Sequence, residues 1–137
     1  RQTFFVFDPF TLRSQSKMLR RSLKYSRFGD PQEVVELVEE TISGELKPHE
    51  VLIRWLASPI HPADINKIQG VYSFKPTLPA IGGSEGFGRV VKTGTSVASV
   101  TCGDKAVVFT RFSPCWADLS IVDETDIVKV DQRLTPV

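Results

Sequence analysis

Apolar positions along this chain come in short runs separated by glycine- and proline-rich turns. In Val51-Leu52-Ile53-Arg54-Trp55-Leu56-Ala57, a strand puts Val51, Ile53 and Trp55 on one face and Leu52, Arg54 and Leu56 on the other. Leu23-Lys24-Tyr25-Ser26 reads as a short strand that starts the folded part. The β-branched, loosely alternating run Glu33 to Val38 predicts a second strand. Further strands are predicted over Glu85 to Lys92, Ala106 to Phe109, Pro114 to Val122 and Ile127 to Val130, with Trp116 buried. Turns fall at Phe28-Gly29-Asp30-Pro31, Ser43-Gly44, Lys47-Pro48, Gly94 to Ser99 and Gly103-Asp104. Gly86 and Gly88 inside a strand mark a bulge or a barrel corner. Many short strands with one short helix predict a mainly-β barrel.

The helix lies within the stretch Ser58 to Glu85, which has the densest turn chemistry in the chain. His61-Pro62 reads as an N-cap followed by proline at the first helical position, where a missing N–H is harmless. Asp64 adds negative charge near the positive end of the helix dipole. Ile65 and Ile68 form a short apolar stripe, and Gly70 reads as a left-handed cap. Tyr72 follows on a loop between Gly70 and the prolines at 76 and 79. A phenol held there can donate a hydrogen bond to a developing oxyanion. The other reading is a half-buried tyrosine filling a core edge, and the residues alone favour that packing role. Gly82 and Gly83 let the backbone approach a neighbouring segment or a ligand.

Length and composition suit one globular domain, with 41% hydrophobic and 24% charged residues. A net charge of +1 gives no case for nucleic-acid binding, and no apolar run approaches a membrane span. Cys102 and Cys115 form no C-x-x-C and read as two free thiols in a reducing compartment. The charge is unevenly placed. Up to Arg21 there are Arg1, Arg13, Lys17, Arg20 and Arg21 against the single acid Asp8. With Ser14, Ser16 and Ser22 this basic head resembles a mitochondrial presequence; a cloning remnant or a mis-predicted leader is the other reading. Residues 1–22 are expected to be a disordered leader outside the fold, and residues 23–137 to form the domain.

Gly83-Ser84-Glu85-Gly86, Gly88-Arg89-Val90-Val91-Lys92-Thr93-Gly94, Val97, Val100 and Gly103-Asp104-Lys105-Ala106-Val107 together resemble the medium-chain dehydrogenase/reductase catalytic domain. That resemblance implies a GroES-like, partly open β-barrel. Within the superfamily, Phe28 to Pro31, Val34 to Leu37, Ala57 to Ile60 and Ile65-Asn66-Lys67-Ile68-Gln69-Gly70-Val71-Tyr72 look like mitochondrial trans-2-enoyl thioester reductase. The likeness runs from about Leu23 to the end.

The resemblance implies that hydride passes from NADPH to the β-carbon of a 2-enoyl-CoA or an enoyl-acyl carrier protein, in mitochondrial fatty acid synthesis, with a homodimer as the full-length enzyme. The family's catalytic tyrosine falls on Tyr72. Asp64 and Asn66 match the family's Asp-Ile-Asn as loop-positioning or cofactor-proximal residues, while His61 stands where the family usually has asparagine. In the family a Rossmann domain follows and binds NADPH. Here Gly86 and Gly88 lie in a strand, with Val91 where a third glycine would be needed, so the chain is expected to be the catalytic domain only, incomplete and without a dinucleotide site of its own. Zinc-dependent relatives carry Gly-His-Glu. The corresponding Gly83-Ser84-Glu85, and the absence of cysteine from Ala57 to Tyr72, predict no catalytic zinc. Two competing expectations are a quinone-reductase-like relative with the same barrel, and a non-catalytic module that recruits a partner through a barrel edge. Ile68-Gln69-Gly70-x-Tyr72 favours the enoyl thioester reductase.

Overall fold

Residues 50–57 become an interior strand of the larger of two antiparallel sheets in this computed structural model, which describes residues 17–108 and 113–135. In chain order the strands are β1 (Lys17–Tyr25), β2 (Glu36–Ser43), β3 (Glu50–Ala57), β4 (Ala80–Ile81), β5 (Phe87–Thr93), β6 (Lys105–Val108), β7 (Leu119–Asp123) and β8 (Ile127–Val130). Helix α1 (Pro31–Val34) is one turn, α2 (Pro62–Gln69) is two, and Glu124–Asp126 is a 3₁₀ turn. One sheet has the order β2-β1-β4, the other β7-β3-β5-β6-β8. Residues 113–118 join them. Leu23 N–H donates to the Trp116 carbonyl at 2.8 Å, Trp116 N–H to Gly82 at 2.9 Å, and Asp118 N–H to Arg21 at 3.0 Å. The two sheets do not close on each other, so the barrel is partly open as expected.

The core follows the alternation of β3. Val51, Ile53 and Trp55 are buried with Val90, Val100, Ala106, Val108, Cys115, Val122 and Ile127. Leu52, on the opposite face, is also buried, at 1% exposure, because β3 is covered on both sides near its start; Arg54 and Leu56 are exposed. Trp55 would be left with an unpaired indole N–H, but it donates to Ser120 Oγ at 2.9 Å, and Ser120 donates on to the Pro114 carbonyl at 2.6 Å. The register of β3 against β5 shifts between Leu52 and Ile53, opposite Val91, and between Trp55 and Ala57, where Gly88 faces Trp55; Gly86 precedes β5. This agrees with the bulge read from those glycines. A second cluster of Tyr25, Val34 and Ile68 packs beneath α2. Cys102 is exposed and Cys115 buried, and both are free thiols.

Several expectations need correction. The fold does not begin at Leu23. β1 starts at Lys17, and Ser22 is 2% exposed, so residues 17–22 belong to the sheet and not to a leader; residues 1–16 lie outside the described residues. The reason is charge. β1 carries Lys17, Arg20, Arg21 and Lys24, and β2 sets Glu40, Glu39 and Glu36 directly opposite the last three. Arg20 Nη2 lies 2.6 Å and Lys24 Nζ 3.2 Å from Glu40, and the Arg20 hydrogen bond holds the Glu40 carboxyl below the usual carboxylate range.

The strand expected from Glu33 is a turn of helix up to Val34. Asp30 Oδ1 accepts the Gln32 N–H at 2.9 Å and Pro31 starts the helix, so a cap-and-proline signal overrides the β-branched run. Regular pairing of β7 begins at Leu119, because residues 113–118 are committed to bridging the sheets. Trp116, expected buried, is only partly so, with its indole N–H donating to the Pro59 carbonyl at 3.2 Å. Phe109, placed at the end of an expected strand, lies outside the described residues.

Glu124 ties three segments together. Its Oε1 lies 2.7 Å from His49 Nδ1, and its Oε2 accepts from Ala98 N, Ser99 N and Ser99 Oγ at 3.0, 3.2 and 2.9 Å. The His49 hydrogen bond foremost, then those from residues 98 and 99, pull its carboxyl from 4.5 down to about 2. The folded value lies below the unfolded one, so this stabilisation is complete above about pH 4.5 and is lost as pH falls toward 2. Glu124→Gln is therefore expected to lower the melting temperature at neutral pH and to close its gap to the parent protein between pH 5 and pH 2. Thermal melts across that range check this; a gap that stays constant with pH would contradict it.

Candidate functional site

Helix α2 is fixed at both ends. At its start His61 is the cap residue and Pro62 follows. The Asp64 side chain reaches back, accepting the His61 backbone N–H at 2.9 Å through Oδ2. Its other oxygen, Oδ1, accepts the Ser84 hydroxyl at 2.5 Å. Asp64 is only 2% exposed, so these donors replace the water that a carboxylate otherwise needs. The His61 ring does not cap the helix; its Nε2 lies 2.6 Å from Glu85 Oε2. Ser58 Oγ donates to the Glu85 carbonyl at 2.6 Å. Residues 58–64 and 82–85 are thus laced together.

Glycine is required at 82 and 83. A Cβ at Gly82 would sit 2.3 Å from the Trp116 ring and one at Gly83 2.4 Å from it, and Gly83 has φ +82°. The close approach read from this pair is therefore to an indole face.

At the other end, Gly70 takes the left-handed conformation, φ 74°, and reverses the chain. Its N–H donates to Lys67 O at 3.1 Å, while Val71 and Tyr72 N–H both return to Asn66 O, at 3.0 and 3.2 Å. Gly29 N–H donates to Ile68 O at 3.0 Å, anchoring this end of the helix to the Phe28 turn. Tyr72 is half-buried, with Lys67 Nζ 5.6 Å from its ring centroid. Asn66 is exposed, and its backbone carbonyl holds the Tyr72 loop.

A cavity of about 530 Å³ opens beside α2, lined by Tyr25, Asp64, Lys67, Ile68, Lys75 and Gly83 among others. Asp64 reaches this cavity. Tyr72 and Asn66 are not among its lining residues, so the three residues singled out from the sequence do not converge on one point. Tyr25, 3% exposed, has its phenol pKa raised, first by burial and then by the Asp64 charge. Burial also pushes the Cys115 thiol up to about 12, with Asp64 and Glu85 adding to it, so it is neither nucleophile nor metal ligand near neutral pH. Among the described residues no three His, Cys, Asp or Glu side chains converge as a metal site. No helix of the described residues is long and apolar enough to cross a membrane. Tyr25 and Lys67 were missed by sequence reasoning. Lys67 lies inside the motif that drew attention to Tyr72, whereas Tyr25 carries no signal beyond its strand face.

Removing the Asp64 carboxylate leaves a buried N–H and a hydroxyl without their acceptor. Asp64→Ala is expected to cost about 2–4 kcal/mol of stability, and Ser84→Ala about 1 kcal/mol. Denaturant unfolding of both variants checks the order; a larger loss from Ser84→Ala would contradict the arrangement.

The profile of the alcohol dehydrogenase GroES-like domain matches residues 47–131. The chain is similar to a mitochondrial enoyl-[acyl-carrier-protein] reductase of Caenorhabditis elegans, 44% identical over 124 residues, or 90% of this chain and 34% of that protein. Among solved structures it resembles the Etr1p/NADP/crotonyl-CoA complex, with a TM-score of 0.76 and 32% identity over 82% of this chain and 34% of that one. A quinone oxidoreductase from Coxiella burnetii shares the fold at a TM-score of 0.73 and 24% identity, over 86% of this chain and 39% of that one. The chain spans about a third of the length of the curated relatives it matches.

Proposed function

Since the chain belongs to the alcohol dehydrogenase GroES-like domain family, we propose that it supplies the substrate-activating part of a mitochondrial, NADPH-dependent 2-enoyl thioester reductase. The substrates would be trans-2-enoyl-CoA or enoyl-acyl carrier protein, reduced to the saturated acyl thioester in fatty acid synthesis. The observation that carries this reading is Tyr72 on a loop held by the α2 terminus, in a chain 44% identical to an enoyl-[acyl-carrier-protein] reductase. Quinone reduction is the second reading. It is favoured by the shared barrel, but at 24% identity that likeness speaks to fold alone.

The chemistry asks little of the chain beyond position and charge. Reduction puts a hydride on the β-carbon and a proton on the α-carbon. Between the two, the electron pair of the double bond moves toward the thioester oxygen. A hydrogen bond from the Tyr72 phenol to that oxygen strengthens as the charge develops, so it acts on the transition state more than on binding. Asp64 holds α2 against residues 82–85, and Asn66 O holds the Tyr72 backbone, so both serve as positioning residues.

A nicotinamide supplies hydride when bound, yet the described residues do not fit the dinucleotide as a whole. Its pyrophosphate needs a glycine turn between a strand and a helix N-terminus. Here the first turn of α2 is filled by the Asp64 carboxylate, and α1 is a single turn. The chain therefore fits the substrate side of the reaction. The reading assigns it no zinc, so dialysis of the full-length protein against a strong chelator should leave turnover unchanged; loss of turnover restored by zinc would refute this.

Tyr72→Phe keeps the ring and removes the donor. In the full-length protein that carries these residues it is expected to lower kcat by about two to three orders of magnitude, the effect of losing one such donor. KM for NADPH and the melting temperature should hold. Steady-state kinetics with crotonyl-CoA checks this; normal turnover with a lowered melting temperature would make Tyr72 a packing residue.

A further inference from the structure

We propose that Lys67 is a second functional residue at this site: its ammonium orients the Tyr72 ring and adds positive charge where the substrate's oxygen becomes negative. The inference rests on the reading of Tyr72 given above.

Geometry carries it. Lys67 and Tyr72 are five residues apart, a spacing that puts them on different sides of a continuous helix. The left-handed turn at Gly70 cancels that separation, because Tyr72 N–H folds back to Asn66 O at 3.2 Å. The Tyr72 ring then lies with Lys67 Nζ 5.6 Å from its centroid, within the range where a cation is attracted to an aromatic face. Lys67 also lines the cavity beside α2, which Tyr72 does not. Its side chain thus spans the space between the phenol and the enclosed volume.

The charges around it fit an anionic transition state. Lys67 stands in the last turn of α2, where carbonyl oxygens make an ammonium favourable. Asp64, one turn earlier and on the same cavity, already accepts hydrogen bonds from His61 N–H and Ser84 Oγ. Lys75 also lines the cavity and adds a second ammonium, 5.8 Å from the Phe28 ring centroid. Two ammonium groups thus line the cavity, and the Asp64 carboxylate is engaged by the helix start and Ser84.

Kinetics of Lys67→Met, Lys67→Arg and Tyr72→Phe in the full-length protein, with crotonyl-CoA, test it. Lys67→Met should lower kcat about three- to tenfold with KM nearly unchanged, the size expected for losing a partly exposed cation–ring contact. Lys67→Arg should restore most of that loss. Nuclear magnetic resonance gives a readout apart from turnover: the Lys67 ε-methylene protons should be shifted upfield by the ring and return toward free-chain positions in Tyr72→Leu. If Tyr72→Phe is slow while Lys67→Met keeps normal kcat, the role of Lys67 is overturned and that of Tyr72 stands. If Lys67→Met is slow but Lys67→Arg fails to rescue, or the methylene protons show no ring shift, Lys67 is structural and the inference falls. Normal turnover in Tyr72→Phe overturns both.

Discussion

A carboxylate shut away from water has to be matched by donors, and much of this domain is arranged around matching Asp64. Its partners come from two distant places, the entry to α2 and the loop after β4. Once those are joined, the direction of α2 is set, and with it the place where the helix ends. Gly82 and Gly83 are drawn into the same arrangement, since the chain must pass flat against Trp116 to bring Ser84 within reach. The negative charge is felt beyond its hydrogen bonds, in the raised pKa values of Tyr25 and Cys115. One buried carboxylate thus disciplines the backbone, and it adds to the burial that raises the pKa values of Tyr25 and Cys115.

Trp116 is the second organising element. Its backbone bonds to Leu23 and Gly82, its ring covers two glycines, and its indole N–H reaches Pro59. The smaller sheet, the loop after β4 and the approach to α2 all meet on this residue. It can do so because it is only partly buried: an edge residue can touch three segments that a core residue would have to separate.

What could be read from the sequence was what local chemistry decides. The alternation in β3, the His61-Pro62 start of α2 and its Gly70 stop all act within a few residues, and all three stand in the structure. The GroES-like barrel was implied by the resemblance of the run from Gly83 to Val107 to the medium-chain dehydrogenase/reductase catalytic domain. What escaped depends on partners far along the chain. The basic run before Leu23 has the composition of a presequence until Glu36, Glu39 and Glu40 are set opposite it by strand pairing. Asp30-Pro31 was legible as a turn but not as a helix start, because the β-branched residues after it argued for a strand. Tyr72 was singled out through its motif. Lys67, in the same motif, was passed over because its meeting with Tyr72 depends on the turn at Gly70 and not on spacing.

The pairing of β1 with β2 sets a boundary on maturation. Lysine and arginine there serve as half of a charge ladder, and Ser22 lies inside the sheet. A peptidase that cut within residues 17–22 would cut into β1. A cut further in would strip Glu40 of Arg20, uncover the partner face of β2 and take away the strand that residues 116–118 bond to. The positive charges nearest the fold are thus not disposable address labels. They are structural, and removing them would leave β2 without its partner strand.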